Sequence, residues 1–195
     1  SIVWLASYPK SGNTWVRAFL ANYLFAQSSP LSINAINRVG LGDAITKMYE
    51  MVSESGVDPT NTEQFLQLRK KVLQGIVNNK ATVNFVKTHN ANIKVNGERL
   101  FPESLTRLSI YIVRNPLDVA VSYAQQQALS YKNVVKILCD PNLVLEGNNQ
   151  VAMQFFCDWT THVASWLHSD IGETVVIRYE DLLERPEIHF AELVK

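Results

Sequence analysis

Four short runs rich in apolar or β-branched residues, 2–6, 81–87, 108–113 and 174–178, are separated by long segments, most of them at helical spacing. No hairpin turn joins any two of them. Strands connected this way pair in parallel, and a parallel sheet has to be covered by helices on both faces. The one hairpin-type dipeptide, Asn96-Gly97, is flanked by charged, weakly apolar sequence and reads as an isolated turn outside the sheet.

Residues 14–25 place Trp15, Ala18, Phe19, Tyr23 and Leu24 near helical spacing. Residues 28–37 are polar, contain Pro30 and read as a loop, and helical stretches follow over 42–53 and 62–78. After the third strand, Asn115 suits an N-cap, Pro116 the first helical position, and Asp118 a first turn that favours negative charge. That helix is expected to reach about Ser130. A polar stretch holding Pro141, Gly147, Asn148 and Asn149 then breaks the pattern before a longer helix over 150–168, and a closing helix is expected over 187–195 behind Pro186.

At 195 residues and 47% apolar, the chain has the size of a single domain with one sizeable core. Eighteen basic residues balance eighteen acidic ones, so no net field draws in nucleic acid or an anionic membrane. Any anion site must be made locally. Cys139 and Cys157 lack metal-ligand spacing and are too few for a disulfide framework, so both read as buried or half-buried thiols. No run approaches the roughly 20 apolar residues of a membrane helix and no basic leader opens the chain, so a soluble cytoplasmic protein is the expectation.

The first strand runs directly into Tyr8-Pro9-Lys10-Ser11-Gly12-Asn13-Thr14-Trp15, a small-residue turn with a lysine at a helix start. The first N–H groups of a helix lack intrahelical partners and sit at the positive end of its dipole, so such a turn collects phosphate or sulfate groups. A Walker A loop is excluded, because Lys10 precedes a single Gly12. The second strand ends in Lys87-Thr88-His89 and the third in Arg114, with Ser122 eight residues into the following helix. An Arg fork and a hydroxyl so spaced can grip one phosphate from two sides. Ligands bind outside the carboxyl ends of parallel strands, so these groups are expected to meet at one sheet edge.

Together these elements, with Arg178-Tyr179-Glu180-Asp181-Leu182, resemble the sulfotransferases that use 3′-phosphoadenosine 5′-phosphosulfate (PAPS), in the family's order and over nearly the whole chain. The resemblance implies an α/β, P-loop-like three-layer fold with a mostly parallel central sheet. It implies that Lys10, Ser11, Gly12, Asn13 and Thr14 hold the 5′-phosphosulfate and that Trp15 stacks on adenine, with Tyr179 near the adenine edge. Arg114 and Ser122 would hold the 3′-phosphate and His89 would be the general base, with 3′,5′-adenosine bisphosphate (PAP) as product and a small-molecule hydroxyl as acceptor. Physical chemistry agrees: an unperturbed imidazole is mostly neutral at physiological pH and can accept a proton, while Lys10 can neutralise the leaving oxygen and Lys87 a sulfonate oxygen. No carboxylate cluster reads as a metal site, and no metal is expected.

The chain departs from the family pattern at Asn13, where many members have Thr, and at Asn90-Ala91 after His89, which looks more like bacterial sulfotransferases. The family's later Arg-Lys-Gly element finds no counterpart before Lys195, so the single domain 1–195 is expected to lack its C-terminal cofactor-binding segment. The remaining histidines, His162, His168 and His189, read as structural or solvated, and Trp4, Trp159 and Trp166 as core. Loops at 28–38 and 131–149, with Leu31, Ile33, Tyr131 and Leu143, are candidates for the acceptor pocket. Two other readings stay open: a metal-dependent nucleotide kinase on a related phosphate-binding fold, and a non-catalytic nucleotide-binding module.

Overall fold

The computed structural model describes residues 1–26, 28–32, 36 and 39–195; of the candidate pocket residues, Ile33 lies outside them. Strand β1 (Ile2–Ser7) is buried at every position and is followed by α1 (Asn13–Phe25). Next come β2 (Leu41–Gly42), α2 (Thr46–Val52), α3 (Thr62–Val77) and β3 (Asn84–Thr88). A small antiparallel pair, β4 (Lys94–Val95) and β5 (Glu98–Arg99), brackets Asn96-Gly97 outside the main sheet. Strand β6 (Thr106–Val113) leads to α4 (Pro116–Gln127) and α5 (Tyr131–Leu138). The short pair β7 (Val144–Leu145) and β8 (Gln154–Phe155) precedes α6 (Trp159–Leu167), β9 (Thr174–Arg178), α7 (Tyr179–Glu184) and α8 (Pro186–Leu193).

The central sheet has the order β2-β3-β1-β6-β9, and every pairing in it is parallel. Alternation along β1 sorts the core into two layers. Ile2, Trp4 and Ala6 pack with Tyr111, Phe101, Trp166 and the apolar face of α3, whereas Val3 and Leu5 pack with Ile110, Ile112, Val16, Leu20, Leu182 and Phe190. Helices α2, α3 and α6 therefore cover one face and α1, α7 and α8 the other, giving three layers. A third apolar cluster joins Tyr8 and Phe156 to Val119, Ala124, Val134 and Leu138 of α4 and α5.

Three sequence expectations are corrected. Helix α4 stops at Gln127, where Ala128 takes a left-handed φ of 51°. A separate helix, α5, then starts behind Ser130, whose side chain accepts from the Asn133 N–H. Residues 150–158 are not helical: the Phe155 N–H donates to Asn90 Oδ1 and its carbonyl accepts from Ala91 N, so tertiary pairing holds this stretch extended. Helix α6 begins only at Trp159, capped by the Asp158 side chain. Strand β2, two residues long, had no sequence signal. Of the two thiols, Cys157 is buried and Cys139 exposed. No helix among the described residues is long and apolar enough to cross a membrane.

Candidate active site

Parallel pairing brings the carboxyl ends of β1, β3, β6 and β9 to one edge of the sheet, as the register Ala6↔Thr88, Ser7↔Ile112 and Val113↔Arg178 shows. A cavity of about 540 Å³ opens there. It is lined by Lys10, Gly12, Asn13 and Thr14 from the first loop, Lys87 and His89 from the end of β3, Arg114 and Ser122 around the start of α4, and Tyr179 from α7. Nine of the sequence-predicted site residues therefore meet in one place. Among the described residues, its lining holds three cations, Lys10, Lys87 and Arg114, and no carboxylate.

The first loop is shaped for an anion. Lys10 and Gly12 both have left-handed backbones, φ 69° and 96°, which turns successive N–H groups toward one side. No side chain caps α1 and no acidic residue stands in its first turn, so the positive end of that helix faces the cavity unneutralised. Glycine is required at position 12 twice over, by its φ and because a Cβ there would lie 2.4 Å from Tyr179 Cδ2. Asn13 is buried and anchors the loop, donating to the Leu5 carbonyl at 2.9 Å.

Arg114 ties the two sides together. Its Nη1 donates to the Lys10 carbonyl at 3.0 Å, and its guanidinium lies 4.3 Å over the Tyr179 ring. Among the described residues, buried Arg114 Nε and Ser11 Oγ have no hydrogen-bond partner.

His89 lines the cavity near Phe156, with ring centroids 6.5 Å apart. Its Nδ1 lies 2.7 Å from the Ser7 carbonyl, which can only accept, so Nδ1 carries the proton and Nε2 keeps its lone pair. Burial, and next the Lys87 cation, push its pKa well below the ordinary value, the Ser7 hydrogen bond opposing only in part. His89 is thus a neutral acceptor at physiological pH. Burial also lowers the pKa of Lys87, with Arg17 adding to the effect and Asp43 opposing it.

Two predicted residues do not line the cavity. Ser11 is buried beneath the loop. Trp15 stands behind it, edge-on to Tyr179 and Phe190 at 5.9 and 5.6 Å. Conversely, Tyr123, Gln126, Gln127, Leu145 and Phe156 line the cavity and were not singled out. The first three share a helical face with Ser122, a spacing the sequence does display, whereas Leu145 and Phe156 arrive through the extended segments around β7 and β8. Of the candidate acceptor loops, Leu31 packs into the core under α1 and Leu143 into the cluster of α4 and α5, while Tyr131 is exposed.

Comparison with solved structures gives a match to retinol dehydratase in a complex with retinol and PAP. The TM-score is 0.53 at 16% identity, over 98% of this chain and 58% of that one. The chain thus spans somewhat over half the length of that neighbour, and the likeness is one of fold. Comparison with the curated proteins gives no match. The model of the sulfotransferase domain matches residues 1–195, and on that match over its whole length the chain belongs to the sulfotransferase domain family.

Proposed function

We propose that this domain transfers the sulfonate of PAPS to a hydroxyl of a small-molecule acceptor, with His89 as general base. The observation that carries the reading is the meeting of Lys10, Lys87 and Arg114 around one neutral imidazole whose Nδ1 is committed to the Ser7 carbonyl, with no carboxylate lining the cavity among the described residues. When bound, PAPS supplies an activated sulfonate whose sulfur exchanges a phosphate oxygen for the acceptor oxygen. The uncapped start of α1, Lys10 and Thr14 hold the phosphosulfate, and Lys10 neutralises charge gathering on the leaving oxygen. Lys87 faces the sulfonate oxygens, and His89 Nε2 takes the acceptor's proton as the new bond forms.

Arg114 and Ser122, which line the cavity together, hold the 3′-phosphate. The adenine lies against Tyr179, with Trp15 bracing that ring from behind. Phe156 and Leu145 supply the apolar wall on the acceptor side.

The test is titration with PAP in the presence of a chelator, followed by sulfonate transfer to a panel of phenols and aliphatic alcohols for wild type and His89→Ala. PAP is expected to bind both proteins without metal, and transfer to fall on the order of 10²–10⁴-fold in His89→Ala. Absent PAP binding with tight magnesium-nucleotide binding instead would replace this reading with a kinase. Undiminished transfer by His89→Ala would remove the base assignment.

A further inference from the structure

The buried histidine His162, on α6, touches no part of the cavity yet is bonded to the backbone of the residue that does the chemistry. Its Nε2 lies 3.1 Å from the His89 carbonyl and its Nδ1 2.9 Å from the Tyr111 hydroxyl. The carbonyl can only accept, so Nε2 carries the proton, and Nδ1 must accept from Tyr111. The imidazole is a fixed strut. It runs from the middle of β6, buried in the core, to the peptide group of His89.

The opposite side of that peptide is held as firmly. Asn90 is buried and donates to Asp43 Oδ2 at 3.2 Å, accepts from Phe155 N at 2.7 Å, and its carbonyl accepts from Trp166 Nε1. The His89 side chain is pinned in turn by Nδ1 donating to Ser7. The bond from His162 fixes the one polar group of this peptide that these contacts leave open, the His89 carbonyl.

We propose that His162 is a positioning residue for sulfonate transfer: by donating Nε2–H to the His89 carbonyl, it holds His89 in the orientation in which Nδ1 meets the Ser7 carbonyl and Nε2 is left available to the acceptor. The inference rests on His89 being the base. Removing a support of this kind displaces a catalytic group by a fraction of an ångström to an ångström, a displacement that costs on the order of 10- to 100-fold in rate.

Two substitutions separate positioning from packing. His162→Gln can put an amide N–H where Nε2 stood, and His162→Asn can keep a partner for the Tyr111 hydroxyl but offers nothing to the His89 carbonyl. ¹⁵N spectra of the histidine rings, assigned by comparison with His89→Ala, report the tautomer without any acceptor. The groups facing His89 are Lys87, Arg17 and His162, so the spectra are compared at one pH at which the imidazole is neutral. Wild type and His162→Gln are expected to show the Nδ1–H tautomer at His89, and His162→Asn a mixture, with unfolding midpoints alike in the two variants and unchanged PAP affinity. Transfer to the best phenol of the panel is expected to fall 10- to 100-fold in His162→Asn and less than threefold in His162→Gln.

Identical tautomers and rates in the two variants, whether both high or both low, overturn the positioning role. Undiminished transfer by His89→Ala is a separate result that removes the base assignment beneath it.

Discussion

Replacing Gly12 by alanine tests whether the loop, Tyr179 and Arg114 form one packed unit. The left-handed backbone at φ 96° costs an L-residue about 1–2 kcal/mol. The new Cβ would also sit 2.4 Å from Tyr179 Cδ2, so to reach an ordinary contact the ring has to recede by about 1 Å. That ring carries the Arg114 guanidinium at 4.3 Å, and a stack of this kind is worth about 0.5–2 kcal/mol. In a Tyr179→Ala background the clash vanishes and only the backbone term remains.

A double-mutant cycle in urea unfolding is therefore expected to give about 2–3 kcal/mol for Gly12→Ala in wild type and about 1–2 kcal/mol without the ring. The coupling of about 1 kcal/mol exceeds the ~0.3–0.5 kcal/mol scatter of independent sites. The same cycle in PAP affinity is expected to show a roughly fivefold coupling. An equal cost of Gly12→Ala in both backgrounds would refute the packing argument.

Two further outcomes are expected. Arg69 and Asp43 form a buried ion pair at 2.8 Å, with Arg69 also bonded to the Leu100 carbonyl and Tyr49, so Arg69→Met leaves an uncompensated carboxylate. Stability in urea is expected to drop by about 3–5 kcal/mol, and Arg69→Met/Asp43→Leu to recover most of it. Burial lowers the His162 pKa from its ordinary value to about 4, so its neutral form belongs to the folded state. Its contribution is fully present above about 6.5 and lost as pH falls from there toward 4, and His162→Gln is expected to flatten the fall in unfolding free energy across that window.

Strands β1 and β6 were legible because a strand buried on both faces reads as a continuous apolar run, and β1 is the clearest case; β3 and β9, more exposed, were legible from their β-branched and aromatic residues. The segment at 150–158 was misread for a physical reason. Val151, Ala152, Met153, Phe155 and Phe156 are as compatible with a buried helix as with an extended chain, and the choice is made by Asn90 and Ala91, distant in sequence. Helix α5 carried a signal that was passed over, Ser130 as a cap and Val134 and Leu138 one turn apart.

At the site, charge and punctuation located Lys10, Lys87, His89 and Arg114, whereas His162 was read as structural or solvated. Nothing in its own neighbourhood distinguishes a strut from a filler; the distinction lies in the His89 carbonyl, which belongs to another element.

The placement of β1 at the centre of the sheet also sets the order in which the domain can be made. Val3 pairs with Phe85 on one side and Leu108 on the other, so β1 is synthesised well before either of the strands that enclose it. At about 5–20 residues per second, roughly 5–20 s of synthesis pass before Leu108 exists. For that interval an unbroken apolar segment with two open edges waits on the nascent chain, the kind of segment that chaperones shield. The same centrality that lets β1 deliver Lys10 to the middle of the cavity makes translation speed and chaperone supply determinants of yield.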